Sequence, residues 1–142
     1  MDNVRPSQWL VLASGALLFI FSFFDLAKDV GNAWDDFGVQ TFPALIGLIL
    51  AGLAAAIAFG DVDLPEPILT FSIRQLVLVL ALTAVLIQVG YLLTLMLSDV
   101  ADPGIGAWLG GLAAIGLIVG AVMDQLDAPS ANVGQPSAPT PF

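Results

Sequence analysis

The sequence predicts an all-α integral membrane protein, a four-helix bundle built from two transmembrane hairpins. Three observations carry this. The charged residues leave four long stretches empty, the composition is too apolar for water, and the apolar runs do not alternate as barrel strands must. All 15 Asp, Glu, Lys and Arg residues lie outside four windows: Pro6 to Phe24 (19 residues), Phe37 to Gly60 (24), Gln75 to Ser98 (24) and Pro103 to Met123 (21). A helix crosses a hydrocarbon core of ~30 Å with roughly 20 residues at ~1.5 Å each. Of the 142 residues 58% are hydrophobic and only 11% charged, where a soluble domain carries about 25% charged residues. Backbone polar groups cannot stay unpaired in lipid, so only helices or closed barrels cross it. Runs such as Leu76-Val77-Leu78-Val79-Leu80 lack the alternating polarity of a barrel strand.

Each element follows from its window. The spans are expected at about 7–25, 39–60, 75–98 and 104–123, making one domain over 1–127. The first could be mistaken for a signal peptide, but no small-x-small cleavage site precedes Asp25, so it reads as a retained span. The loop after it places Leu26, Val30, Trp34 and Phe37 at helical spacing. That predicts a short interfacial helix, with Gly31-Asn32 arguing for a break inside it. The linker Asp61-Val62-Asp63-Leu64-Pro65-Glu66-Pro67 is punctuated by proline and reads as extended, and Ile68, Leu69, Phe71 and Ile73 follow at headgroup level. The tail 128–142 has four prolines, two serines and no charge, and is expected to be disordered. The two hairpins also echo each other weakly: Arg5 and Arg74 open them, and aspartates follow each second helix.

Four spans put both termini on one side of the membrane. That side holds Arg5 and Arg74 and the other only Lys28, so the positive-inside rule favours cytoplasmic termini. Trp9 and Trp108 fall at opposite surfaces, where amphipathic rings anchor helix ends.

The side chains exclude several kinds of chemistry. No cysteine or histidine is present, which removes disulfides, thiolates and the common zinc and haem ligands. There is no phosphate-binding glycine loop, nucleophile elbow or catalytic constellation, so neither an enzyme nor a cofactor is expected. A net charge of −9 argues against nucleic acid. Ion-coupled transporters usually carry ionisable groups inside the bilayer, and none falls within these windows.

What remains are features of packing and polarity. Gly106, Gly110, Ala113, Gly116 and Gly120 share one face of the fourth span, and Gly47, Ala51, Ala54 and Ala58 make a narrower stripe on the second. Small residues let helix backbones approach closely in lipid, so these faces either pack the bundle or dock a membrane-protein partner or second copy. Gln88 lies near the middle of the third span, with Thr83, Tyr91 and Thr94 along the same helix. It reads as an interhelical clasp, to Ser14 or Ser22, or as part of a polar route for a solute. The loop aspartates, including Asp35 and Asp36 beside Trp34, either mark span ends or gather for a hard cation or a basic partner. The function expected is a non-enzymatic membrane scaffold or accessory subunit. A small transporter or channel-like protein and a lipid- or envelope-interacting protein are the alternatives.

The stretch Trp9 to Ala56 resembles the opening of small four-span membrane proteins of actinobacteria, a family without an assigned activity. The resemblance rests on a glycine-containing first helix, the loop Asn32-Ala33-Trp34-Asp35 and an alanine-rich second helix. The family's Ser-Phe-Leu-Pro-Trp-like exit is only half present, as Ser22-Phe23-Phe24-Asp25. The match covers about a third of the chain and implies a location in a bacterial plasma membrane.

Overall fold

A computed structural model describes residues 4–35, 38–60, 62, 71–99 and 101–127. Among the described residues there are four helices: α1 Pro6–Phe21, α2 Thr41–Phe59, α3 Ile73–Leu97 and α4 Ile105–Leu126. Helices α2, α3 and α4 are long and apolar enough to cross a membrane, while α1 has 16 residues. The linker 63–70 and the tail expected over 128–142 lie outside the described residues.

The local chemistry fixes each helix end. Pro6 opens α1, where its missing N–H would have had no helical partner, and the Gln8 carboxamide accepts the Arg5 N–H at 3.2 Å. The helix stops at Phe21, short of the boundary expected near residue 25. Ser22 donates its hydroxyl to the Phe19 carbonyl, and the Phe23 and Phe24 amides turn back onto Ile20 and Phe21. A reciprocal capping box starts α3: the Ser72 hydroxyl accepts the Gln75 N–H at 3.3 Å, and the Gln75 side chain accepts the Ser72 N–H at 3.0 Å. At the start of α4 the cap comes from elsewhere in the chain. Gly104 and Gly106 donate to the carbonyls of Leu26 and Asp25, at 2.8 and 2.9 Å.

The α1–α2 connection is not the interfacial helix its spacing suggests. Ala27 pairs with both Gly31 and Pro103 in isolated bridges, and Asp29 and Gly31 adopt φ of 65° and 83°. Left-handed backbone of this kind ends a helix, and glycine is the residue that adopts it at least cost. Leu26 is consequently buried while Val30 is exposed, so the apolar residues do not share a face. Phe37 lies outside the described residues. The loop is tied down instead by Thr41, a buried residue whose hydroxyl donates to the Ala33 carbonyl at 2.7 Å. Thr41→Val should therefore cost about 1–2 kcal/mol by leaving that carbonyl unpaired. Thermal unfolding in mild detergent would register it, and an unchanged midpoint would contradict the role given to this bond.

The helices form a ring in which α1 packs on α2 and α4, α4 packs on α3, and α2 and α3 touch least. Contacts between α1 and α4 run in reverse order along the two chains. Ser7 meets Asp124, Val11 lies against Gly120, Ser14 against Gly116, and Phe24 against Gly106. With the turn that follows it, α1 thus runs beside α4 for nearly its whole length. The core between the helices is made mostly of small residues, including Ala54, Ala81, Ala84, Ala113, Ala114 and Ala121, with Leu18, Leu50 and Leu117 filling the wider levels. Large apolar side chains point outward instead, among them Leu86, Leu97 and Leu112. A soluble monomer does not expose so continuous an apolar surface.

Candidate functional site

Two of the three basic residues of the chain meet at one end of the bundle. Arg5 precedes α1, Arg74 lies in the first turn of α3, and Asp124 in the last turns of α4. Because α4 runs antiparallel to both neighbours, these positions converge. Arg5 Nη2 lies 3.0 Å from Asp124 Oδ1 and Arg74 Nε 3.6 Å from Asp124 Oδ2. Ser7 donates to the same carboxylate at 3.4 Å, and Arg74 Nη1 donates to the Asp124 carbonyl at 3.4 Å. Each charge sits at the helix end that the macrodipole disfavours, cations at N-termini and the anion at a C-terminus. Mutual pairing offsets this. Among the described residues one carboxylate is thus shared between two guanidiniums.

Beside this cluster lies a cavity of about 260 Å³, bordered mainly by α2 and α3 with Arg5, Gln8 and Val11 on the α1 side. Its walls are apolar, from Val11, Leu50, Leu53, Ala54, Ile57 and Val77, while Arg5, Gln8, Arg74 and Asp124 line its polar side. Trp9 meets Phe59 edge-on at 5.7 Å at the same end of the bundle, with both rings exposed.

The small-residue faces are occupied by the chain's own helices. A Cβ on Gly47 would stand 2.8 Å from the Gly15 carbonyl oxygen, and one on Gly15 would stand 2.6 Å from that of Gly47. Ala51 and Ala54 are buried on the same side of α2, and Ala58 is half-buried. On α4, Gly106 faces the Phe24 carbonyl, Gly110 the Gln88 side chain, Gly116 the Ser14 hydroxyl and Gly120 Val11, with Ala113 buried among them. A partner cannot dock on surfaces already filled in this way. Of the two readings of these stripes, the contacts fit packing of the chain's own bundle.

Gln88 is buried at 3% exposure, but it pairs with neither serine proposed for it. The Ser22 hydroxyl accepts from Trp34 Nε1 at 2.8 Å and donates to Phe19, while Ser14 faces Gly116. Gln88 instead lies against Gly110 and shares a void of about 10 Å³ with Ser22 and Gln40. Thr83 is exposed on the opposite side of α3, its hydroxyl bound to the Val79 carbonyl at 2.8 Å; Thr94 does the same to Gly90. Tyr91 is half-buried against the cluster of Ala27, Leu95 and Ala107. Gln88, Thr83 and Tyr91 therefore do not converge on one route.

At the loop end Trp34 stacks on Phe23 at 5.6 Å and meets Phe19 edge-on at 6.0 Å. Asp35 is exposed and accepts the Asn32 N–H at 2.8 Å, and Asp36 lies outside the described residues. Lys28 pairs with Asp102 at 3.2 Å in an exposed bridge, the kind that contributes little. Among the described residues no group of three or more acids gathers closely enough to hold a metal ion.

The arginine cluster is the feature that inspection of the sequence missed. Its signal was present: two of three basic residues stand at hairpin starts, and Asp124 and Asp127 follow the last span closely. What the sequence lacked was the register that joins them. Comparison with protein-family models, curated proteins and solved structures gives no match.

Proposed function

We propose that this protein is a four-span membrane scaffold or accessory subunit without enzymatic activity, residing in a bacterial plasma membrane with both termini cytoplasmic. The fourth crossing is supported by the register of α1, which with its exit turn runs beside α4 from Asp124 to Gly106. A segment matched level for level to a span long enough to cross would cross with it. Arg5 and Arg74 at one end favour that end as the cytoplasmic one.

The observation that carries association is Gly90. Among the described residues, the helical glycines other than Gly52 and Gly90 face a neighbour within 4 Å. A helical glycine costs about 1 kcal/mol relative to alanine and needs a reason to be there. Inside the bundle that reason is close approach of backbones. Gly90 has no such neighbour and stands on the outward face of α3 with Leu86, Leu93 and Thr94, all exposed. It forms a notch where a transmembrane helix of a partner protein can approach the backbone closely.

Gly90→Leu should remove the co-purifying partner in mild detergent while leaving the unfolding midpoint within about 0.5 kcal/mol of the parent, as for a surface substitution. A protein that is monomeric and partnerless before and after the change would refute this reading. A homo-oligomer that dissociates would retain the face and change the occupant.

A further inference from the structure

We propose that the cleft between α2 and α3 at the arginine end binds an anionic membrane lipid, its acyl chain against the apolar walls and its acidic headgroup on Arg5 and Arg74. Three observations lead there. The first is charge: a chain of net charge −9 places two of its three cations at one cavity, where among the described residues both pair with the same carboxylate. A guanidinium offers a fork of N–H donors suited to carboxylate and phosphate oxygens. The contacts to Asp124 engage one donor group of Arg5 and two of Arg74. The side chains keep 35% and 28% of their surface exposed, and both line the cavity.

The second is shape. The cavity of about 260 Å³ is bounded by Leu50, Leu53, Ala54 and Ile57 of α2 and by Ile73 and Val77 of α3. It lies just below the ~300–1,000 Å³ typical of small-molecule sites, so it holds part of a chain-bearing molecule rather than the whole of one. The loosest seam of the ring lies between these same two helices, the side on which the remainder of an acyl chain would leave. The third is depth. Exposed Trp9 stands at the same end, edge-on to Phe59, and Trp rings settle at the headgroup level. An acidic headgroup at that level meets both arginines. Basic pockets between transmembrane helices recognise lipid headgroups in this manner. Asp124 holds the two guanidiniums in place between them.

The test uses the full chain in nanodiscs of mixed phosphatidylcholine and phosphatidylglycerol, with native mass spectrometry reading which lipid stays attached. Retention of phosphatidylglycerol over phosphatidylcholine is expected. It should fall by about tenfold or more in the double variant Arg5→Gln/Arg74→Gln, the size of a lost charge-assisted hydrogen bond. Leu53→Trp, which fills the apolar wall and keeps every charge, should reduce it comparably. The two variants attack separate halves of the site, so if one fails to fold the other still decides. Equal retention of both lipids, or indifference to whichever variants fold, would overturn the proposal. So would displacement by inorganic phosphate alone combined with no effect of Leu53→Trp, since the site would then hold a free anion and no chain.

Discussion

Replacing Gly15 with leucine should destabilise the bundle by about 3 kcal/mol or more, at the upper end of what overpacking costs. The obstacle is backbone, not side chain. A Cβ at Gly15 would lie 2.6 Å from the Gly47 carbonyl oxygen and 3.2 Å from the Ala51 amide nitrogen. A rotamer change cannot clear a carbonyl oxygen, so the two helices must separate along their contact. That separation would also lift Leu18 from Gly47, whose own missing side chain makes room for it. Unfolding in mixed micelles of increasing denaturing detergent measures the loss directly. Gly15→Ala should behave in the same direction with a smaller change, and Gly52→Leu, with nothing within 4 Å, is the control. A Gly15→Leu protein as stable as its parent would mean that α1 and α2 do not cross at this point.

Removing the shared carboxylate is the second large effect. In Asp124→Ala both arginines lose their counter-charge at once, and Ser7, fully buried, loses the acceptor of its hydroxyl. Breaking a fully buried ion pair costs about 3–5 kcal/mol. Arg5 and Arg74 keep 35% and 28% exposure and can turn their heads toward water, so about 2–3 kcal/mol is expected. Stability measured across ionic strength separates the causes. The parent should lose stability as salt rises, because screening weakens the pair, and Asp124→Ala should lose little or gain as screening relieves the repulsion between the arginines. Matching salt dependence in both proteins would show that the ion pairs hold nothing together.

The helical architecture was legible in the sequence because charge is excluded from hydrocarbon regardless of tertiary contacts. Three of the four windows became helices long enough to cross a membrane, and each window contains one helix core. Helix starts were less legible where the cap came from far away. Ser72 and Gln75 cap α3 within four residues, whereas α4 is capped by carbonyls of Leu26 and Asp25 some eighty positions earlier. The loop helix failed for a related reason. Helical spacing of Leu26, Val30 and Trp34 records only that these residues are apolar at intervals, and backbone pairing of Ala27 with Pro103 overrode it.

The small-residue stripes show how far sequence reaches toward a site. Composition alone placed Gly47 and Gly110 on faces built for close approach, because a missing side chain is visible in any sequence. Only the packing told which partner approaches: Gly15 for one and Gln88 for the other. The same holds for Arg5, Arg74 and Asp124, which stand 50 or more positions apart where they meet across α4. By itself the sequence determined that this chain is helical and apolar, and where its charges cannot go, since those follow from the free energy of single residues in lipid. The tertiary structure decided which glycines are spent within the bundle, which face outward, and that two arginines share one carboxylate beside a cleft. Those depend on the register between helices, a collective result of many small contacts that no single residue encodes.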